Sequence, residues 1–206
     1  MMSSNISPAY LLSNLGPKLC SCRKISPLFN RVLARCLSSF MQLRLKMVGA
    51  KEVQTPMYVS ANLMLDDGST SCDAIEYRRT IGSLQYLLLT RPYLDFAVNR
   101  LAQFMHKSTV THWQHVKWLL CYVKQTIHFS LLLRHQSNSM LKGFSDADWG
   151  GDLDDRKSTT AYMIFMGNNP ISWRTMKQKV VARSSTEAEY QALVTAASDI
   201  IYCSFQ

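Results

Sequence analysis

The feature that most constrains this chain is a change of hydrophobic period near residue 135. From Tyr77 onward, apolar residues recur at helical spacing, at Ile81, Leu84, Leu87 and Leu88. Pro92 interrupts this pattern. A second segment resumes with Phe96, Ala97, Leu101 and Phe104, and a third runs from about Val110 with Trp113, Val116, Leu119, Leu120 and Val123 on one stripe. Three amphipathic helices must bury those stripes. His128–Arg134 reads as a strand or an extended connector. Beyond it the pattern is that of strands. Leu141–Ala147 is the first, and Thr159–Met166 is rich in β-branched and aromatic residues. Gly167-Asn168-Asn169-Pro170 is a turn, with Ile171–Lys177 as its hairpin partner. Ser184 opens a last helix through about Cys203, carrying Ala188, Ala192, Leu193, Ala196 and Ile200. The expected class is α+β or α/β, with a helical segment over 45–134 and three strands plus one helix over 135–206.

Charge sets the first 44 residues apart. Residues 1–51 hold eight Lys/Arg and no acid, which carries +8 of the net +9. The high isoelectric point therefore describes the N-terminal segment, and it is weak support for nucleic-acid binding elsewhere. Residues 1–44, rich in Ser, Leu and Arg, are composed like a transit peptide. The favoured reading is an unrelated, disordered leader without a role. Localisation stays open between cytoplasm, nucleus and, through that leader, an organelle. No run of about 18 apolar residues is present, so no membrane span is expected. The six cysteines form no Cys-x-x-Cys pair, which argues against zinc and for free thiols.

The stretch Leu141–Gly151 brings acids to the end of a strand. Side chains alternate along a strand, so Asp146 and Asp148 point the same way if the strand persists. Asp152, Asp154 and Asp155 follow in a loop with Gly150 and Gly151. A cluster so acidic calls for a compensating cation. That cation is either a divalent metal on hard oxygen ligands or the neighbouring Arg156 and Lys157. In the last helix, Ser184-Ser185-Thr186-Glu187 fits a capping box, which gives Glu187 a structural role. Glu189 has no such explanation. It is expected at the head of the stripe Ala192, Leu193, Ala196 and Ile200, where a metal shared with Asp146 would satisfy it.

Other groups carry less. Trp173, Arg174, Lys177, Lys179 and Arg183 could grip a nucleic-acid backbone or simply line a solvated hairpin. His112 and His115 are spaced to share a helix face, but no acid lies nearby, and a structural or surface role is expected. Leu65-Asp66-Asp67-Gly68 is a turn. Ser, Thr and Cys follow it, and no aromatic residue precedes it, so it is not the paired-aspartate hairpin of a polymerase.

Several ordered motifs carry a family resemblance. These are Ser145-Asp146-Ala147-Asp148-Trp149-Gly150-Gly151-Asp152, Ser158-Thr159-Thr160-Ala161-Tyr162, Ile171-Ser172-Trp173 and Ala182-Arg183-Ser184-Ser185-Thr186-Glu187-Ala188-Glu189-Tyr190. In that order they resemble the ribonuclease H domain of copia-type LTR retrotransposon Pol polyproteins. Upstream, Gln54-Thr55-Pro56-Met57, Tyr77-Arg78, Ile81–Leu87, Thr90-Arg91-Pro92, His112-Trp113 and Tyr122-Val123-Lys124 resemble that family's segment between reverse transcriptase and ribonuclease H. The resemblance spans roughly 45–206. It implies an incomplete ribonuclease H-like fold behind a reverse-transcriptase tail, acting on an RNA–DNA hybrid with Mg²⁺. Matched by motif, the first family aspartate is Asp146 and the family glutamate is Glu189. As the catalytic pair they would also be the metal ligands. The family's third and fourth carboxylates have no counterpart before Gln206, so Mg²⁺ binding is expected to be weak or absent and the chain inactive. The alternatives are completion in trans by the missing half or another element-encoded chain, and a nucleic-acid or protein interaction module. Tyr93 stands where the family has Asp, and Ala161 where it has Gly.

Overall fold

A computed structural model describes residues 51, 53–58, 63–129, 131, 133–135 and 140–204. The leader over 1–44 lies outside the described residues. The rest divides into two units, one of residues up to 131 and one from 133 onward.

In the first unit each helix begins where a side chain can satisfy its free amides. Helix α1, Ala74–Leu87, is capped by Asp73, whose Oδ1 accepts from the amides of Ile75 and Glu76 at 2.9 and 3.2 Å. Its buried face is Tyr77, Thr80, Ile81, Leu84 and Leu87. A single 3₁₀ turn, Pro92–Leu94, leads into α2, Asp95–Ala102. Helix α3, Val110–Gln125, is capped by Thr109 in a reciprocal box in which the Nδ1 of His112 accepts from the Thr109 amide at 3.1 Å. Leu119 and Leu120 are fully buried there with Val116 and Val123. Each such leucine contributes about 2 kcal/mol relative to exposure.

Two sequence features find structural roles in this unit. The buried guanidinium of Arg91 donates to the carbonyls of Thr126 and Ile127, at 3.2 and 2.9 Å, just past the end of α3. It supplies donors where a helix end leaves carbonyls unpaired. His112 is wholly buried, stacked on Phe104 with ring centroids 4.1 Å apart, and its Nε2 lies 3.1 Å from the Met64 carbonyl. An acceptor at Nδ1 and a donor at Nε2 are the roles of a neutral imidazole. Its role is structural.

The described part of His128–Arg134 contains no strand, which leaves the connector reading. Arg134 is fixed there by a side chain: its amide donates to Asn169 Oδ1 at 2.8 Å, and Asn169 Nδ2 donates back to its carbonyl at 2.7 Å.

The second unit is a three-stranded antiparallel sheet in the order β1-β2-β3, with a helix packed against it. Strand β1 is Leu141–Asp148, β2 is Thr159–Met166 and β3 is Asn169–Lys177. The β2–β3 turn is tighter than the sequence suggests, because Gly167 takes φ +61° and pairing resumes at Asn169. Pro170 is tolerated inside β3 because β3 is an edge strand with a register shift beside it. Helix α4, Ser185–Ser204, packs across β1 and β2. Its buried stripe is Ala188, Ala192 and Ala196, with Ile200 partly buried, against Tyr162, Ile164 and Leu141. Leu193 is exposed, contrary to its expected place on that stripe. Three alanines at i, i+4 spacing let the helix lie close to the sheet, and a leucine one position later faces away.

Candidate active site

The site is assembled where β1 ends and α4 begins. Strand β1 continues through Asp148, its pairing running from Leu141↔Met166 to Asp148↔Thr159, so Asp146 and Asp148 fall on one side of the alternation. They have different surroundings. The carboxylate of Asp148 accepts from the Thr159 amide across the ladder, and the backbone of Gly151 is pressed against it. Any Cβ at Gly151 would overlap that carboxyl. Asp148 is thus built into the strand end.

Asp146 is not tied down in that way. Its Oδ2 is buried and accepts no hydrogen bond. Its carboxyl is pushed up to about 6, first by burial and then by the Glu189 carboxylate, with Asp148 adding a smaller push and the Ala147 amide opposing. Glu189 lies within hydrogen-bonding reach of it. Two carboxylates in contact are both acceptors, so the contact becomes a bond only when a proton or a cation lies between them.

The start of α4 places Glu189. The Glu187 amide donates to Ser184 Oγ at 3.1 Å, as expected of a cap. The return contact differs from the expected box, because the Glu187 carboxylate accepts from the Arg183 amide at 2.7 Å rather than from Ser184. Glu187 is therefore spent on the cap. Glu189 itself is exposed, and the buried stripe begins at its neighbour Ala188. Ala188 is fixed by Gln178, whose Nε2 donates to the Ala188 carbonyl at 2.9 Å and to Thr160 Oγ1 at 3.0 Å. That bridge ties the head of α4 to the start of β2.

The acidic loop after β1 is neutralised internally. Lys177 Nζ lies 2.6 Å from Asp152 and 2.9 Å from Asp155, and Lys157 lies 3.5 Å from Asp155. Burial would lower the Lys177 ammonium, but Asp152 and Asp155 outweigh it and hold it above the usual lysine range. Compensation by basic side chains is thus present for Asp152 and Asp155.

The remaining cations of the sequence-derived set are dispersed. Trp173 is half-buried on β3, while Arg174 is exposed on the same strand. Lys179 and Arg183 are exposed on the loop between β3 and α4. Sequence reasoning did not single out Trp149. It lies in the turn after β1, and its Nε1 donates to the Ala182 carbonyl at 3.0 Å while the residue is 58% exposed. The only sequence signal was its position between Asp148 and the Gly150-Gly151 pair.

The donor chemistry suits Mg²⁺: two hard carboxylates, one with a buried oxygen that accepts nothing. Mg²⁺ characteristically takes one or two carboxylates and keeps several waters. Among the described residues no group of three or more His, Cys, Asp or Glu is arranged to hold a metal. Asp146 and Glu189 are the acids that could share a cation. Among the described residues, no helix is long and apolar enough to cross a membrane.

No protein-family profile matches the chain, and no solved structure does. Proteins of known sequence do. The retrovirus-related Pol polyproteins from transposons RE2 and RE1 of Arabidopsis thaliana are each 46% identical over 157 residues, covering 76% of this chain and 11% of their own length. The corresponding polyprotein from transposon TNT 1-94 of Nicotiana tabacum is 36% identical over 166 residues, covering 77% of this chain and 12% of its own. The chain thus spans about a ninth of the length of these relatives. It belongs to the copia-type family of retrovirus-related Pol polyproteins from transposons.

Proposed function

We propose that the second unit is a ribonuclease H-type nucleic-acid-processing segment built on Asp146 and Glu189, and that the 206-residue polypeptide by itself does not cleave. The substrate class in this reading is an RNA–DNA hybrid, and the helical unit corresponds to the end of the reverse transcriptase. The observation that carries it is the meeting of Asp146 and Glu189 from separate elements, with Asp146 Oδ2 buried and accepting nothing. A fold does not keep two acids in contact for stability, because like charges repel and desolvation adds to the cost. Such pairs cluster at functional sites.

Asp146 and Glu189 would hold the ion, Asp146 through its buried oxygen and Glu189 from the exposed side. When bound, Mg²⁺ supplies the Lewis acidity that phosphodiester hydrolysis needs. The protein's part is positional. The Gln178 bridge and the Ser184 cap fix the height of Glu189, and the β1–β2 ladder fixes Asp146. The reading that the isolated chain does not cleave is supported by the donor count among the described residues, where two carboxylates leave a second ion without protein ligands.

The test is a hybrid-cleavage assay of the purified chain in Mg²⁺ and in Mn²⁺, alongside Mg²⁺ titration calorimetry. Weak Mg²⁺ binding, abolished in Asp146→Asn and in Glu189→Gln, is expected without cleavage. Turnover that disappears in both variants would sink the inactivity while keeping the site. Mg²⁺ binding unchanged in both variants would sink the site.

A second reading, completion in trans by another element-encoded chain, is favoured by one observation. Among the described residues β1 has a single strand partner, and α4 exposes Leu193, Val194 and Ile201. An open strand edge beside an apolar helix face is a surface that another chain can cover. Activity appearing only on adding the polyprotein segment that follows this one would support it, and no activity with that segment present would remove it.

A further inference from the structure

Trp149 lies in the turn after β1, three residues beyond Asp146, and is 58% exposed. Tryptophan is ordinarily well buried, and its cost in water is offset only if the ring is held for use. Here the ring is held. Nε1 donates to the Ala182 carbonyl at 3.0 Å, which spends the only polar atom of the side chain on the protein, while the residue as a whole is 58% exposed. The backbone beneath is fixed too: the Gly150 amide donates to Ser158 Oγ at 3.1 Å, and Gly150 adopts φ +63°. The indole therefore joins two loops. One follows β1, three residues beyond Asp146, and the other precedes α4, seven residues before Glu189.

The stretch that leads to the Ala182 side of this bond is basic. From Arg156 to Thr186 the chain holds six Lys/Arg and no acid. Lys177 is committed to Asp152 and Asp155, but Lys179 and Arg183, which flank the carbonyl that Trp149 binds, are exposed. A preset aromatic face with cations on the adjoining loop suits a polyanion whose monomers have flat faces. Base stacking on aromatic rings is tolerant of sequence, and the phosphates follow the cations.

We propose that Trp149 is a stacking platform that seats one nucleotide of a nucleic-acid strand next to Asp146 and Glu189, with Lys179 and Arg183 holding neighbouring phosphates. This rests on the nucleic-acid-processing reading above and adds a positioning residue to it. The platform sets where along the strand the acids sit. It takes no part in proton or metal chemistry.

The probe is a labelled RNA–DNA hybrid, with affinity read by fluorescence anisotropy over a series of salt concentrations. Trp149→Ala is expected to weaken binding about tenfold, from the lower part of the range for losing one stacked base, with the slope of affinity against salt unchanged. Lys179→Ala and Arg183→Ala should each lower that slope by about one ion. Trp149→Phe keeps a ring, loses the bond to Ala182 and should fall between parent and Ala. A second measurement stands even where the Ala variant fails to fold. Unlabelled hybrid should quench part of the tryptophan emission of the parent, and that part should be missing in Trp149→Phe. If the parent binds hybrid but Trp149→Ala binds equally, or if the quenched part survives in Trp149→Phe, the platform is overturned and the broader reading stands. If the parent binds no hybrid, both fall.

Discussion

Lys177 Nζ lies 2.6 Å from the Oδ2 of Asp152, a carboxylate whose side chain is only 2% exposed. The pair joins the last residue of β3 to the loop that follows β1. The same ammonium reaches Asp155 at 2.9 Å, so one cation serves two acids. Removing one partner of a buried pair strands the other. Lys177→Ala is therefore expected to destabilise the second unit by about 3 kcal/mol. Adding Asp152→Asn should recover part of that loss. Chemical denaturation of the two single variants and the double variant measures the coupling, and additive losses would show that the pair contributes nothing.

Asp146 predicts a pH dependence of opposite sense to that of an ordinary paired acid. Its carboxyl is raised from 3.8 to about 6 in the folded chain, first by burial and then by Glu189. Between those values the folded state keeps a proton that the unfolded state has released. Stability therefore falls as pH rises from about 4 to about 6, and stays lower above. Asp146→Asn cannot ionise, so its melting temperature should match the parent near pH 4 and exceed it at pH 7. Adding Mg²⁺ at pH 7 should raise the parent toward the variant, because a cation between the carboxylates replaces the missing proton. A parent that grows steadily more stable from pH 4 to 7 relative to Asp146→Asn would contradict this.

What the sequence revealed, and what it hid, follows from the range of the forces involved. The helices and strands were legible because period and caps are local, as in the stripe from Tyr77 and the cap at Ser184. Glu189 stood out because Glu187 already had a local task. The reasoning about its face was wrong in one respect, since the stripe runs through Ala188 and leaves Glu189 and Leu193 in solvent. Helical spacing alone cannot choose between two stripes offset by one residue when alanines and leucines are mixed. The internal pairing of Lys177 with Asp152 and Asp155 was hidden as well. It spans 25 residues and depends on how the β2–β3 hairpin folds back. The exposure of Trp149 was hidden for the same reason, because its partner is a backbone carbonyl 33 residues away.

Arg91 offers a test in the first unit. Its guanidinium donates to carbonyls just past α3, at Thr126 and Ile127, and its side chain is among the largest that are fully buried. Lysine carries the charge but not the planar fork, so it cannot serve two separate carbonyls from a fixed geometry. Arg91→Lys is expected to cost about 2 kcal/mol, the cost of leaving a buried acceptor unpaired. Arg91→Met, which removes the charge as well, should cost more. Amide exchange across Leu119–Thr126 is the sharper readout, because loosening the end of α3 should speed exchange there while α1 keeps its protection. Uniform loss of protection in both helices would place Arg91 in the general core rather than at the helix end.

Gly143 decides how close α4 can lie to β1. A Cβ built at Gly143 would sit 2.5 Å from Ile200 Cδ1 and 3.5 Å from Ile200 Cγ1. The obstacle is the far end of a flexible side chain, so rotation of Ile200 can relieve part of the clash. Ile200 also packs with Tyr162, Ile164 and Ala196, which limits where it can turn. Overpacking of this kind costs about 1 to 3 kcal/mol. Gly143→Ala should therefore destabilise the second unit, and Ile200→Val should partly rescue it by removing the methyl in the way. Tyr162 reports the helix position independently, because its hydroxyl donates to Asp199, one residue before Ile200, and burial first and then that carboxylate hold the phenol above its ordinary range. In Gly143→Ala that phenol should titrate at lower pH as α4 lifts, and in the double variant it should return. A destabilised Gly143→Ala whose tyrosine titration is unchanged, and which Ile200→Val does not rescue, would mean that contact between strand and helix at this point does not set the spacing.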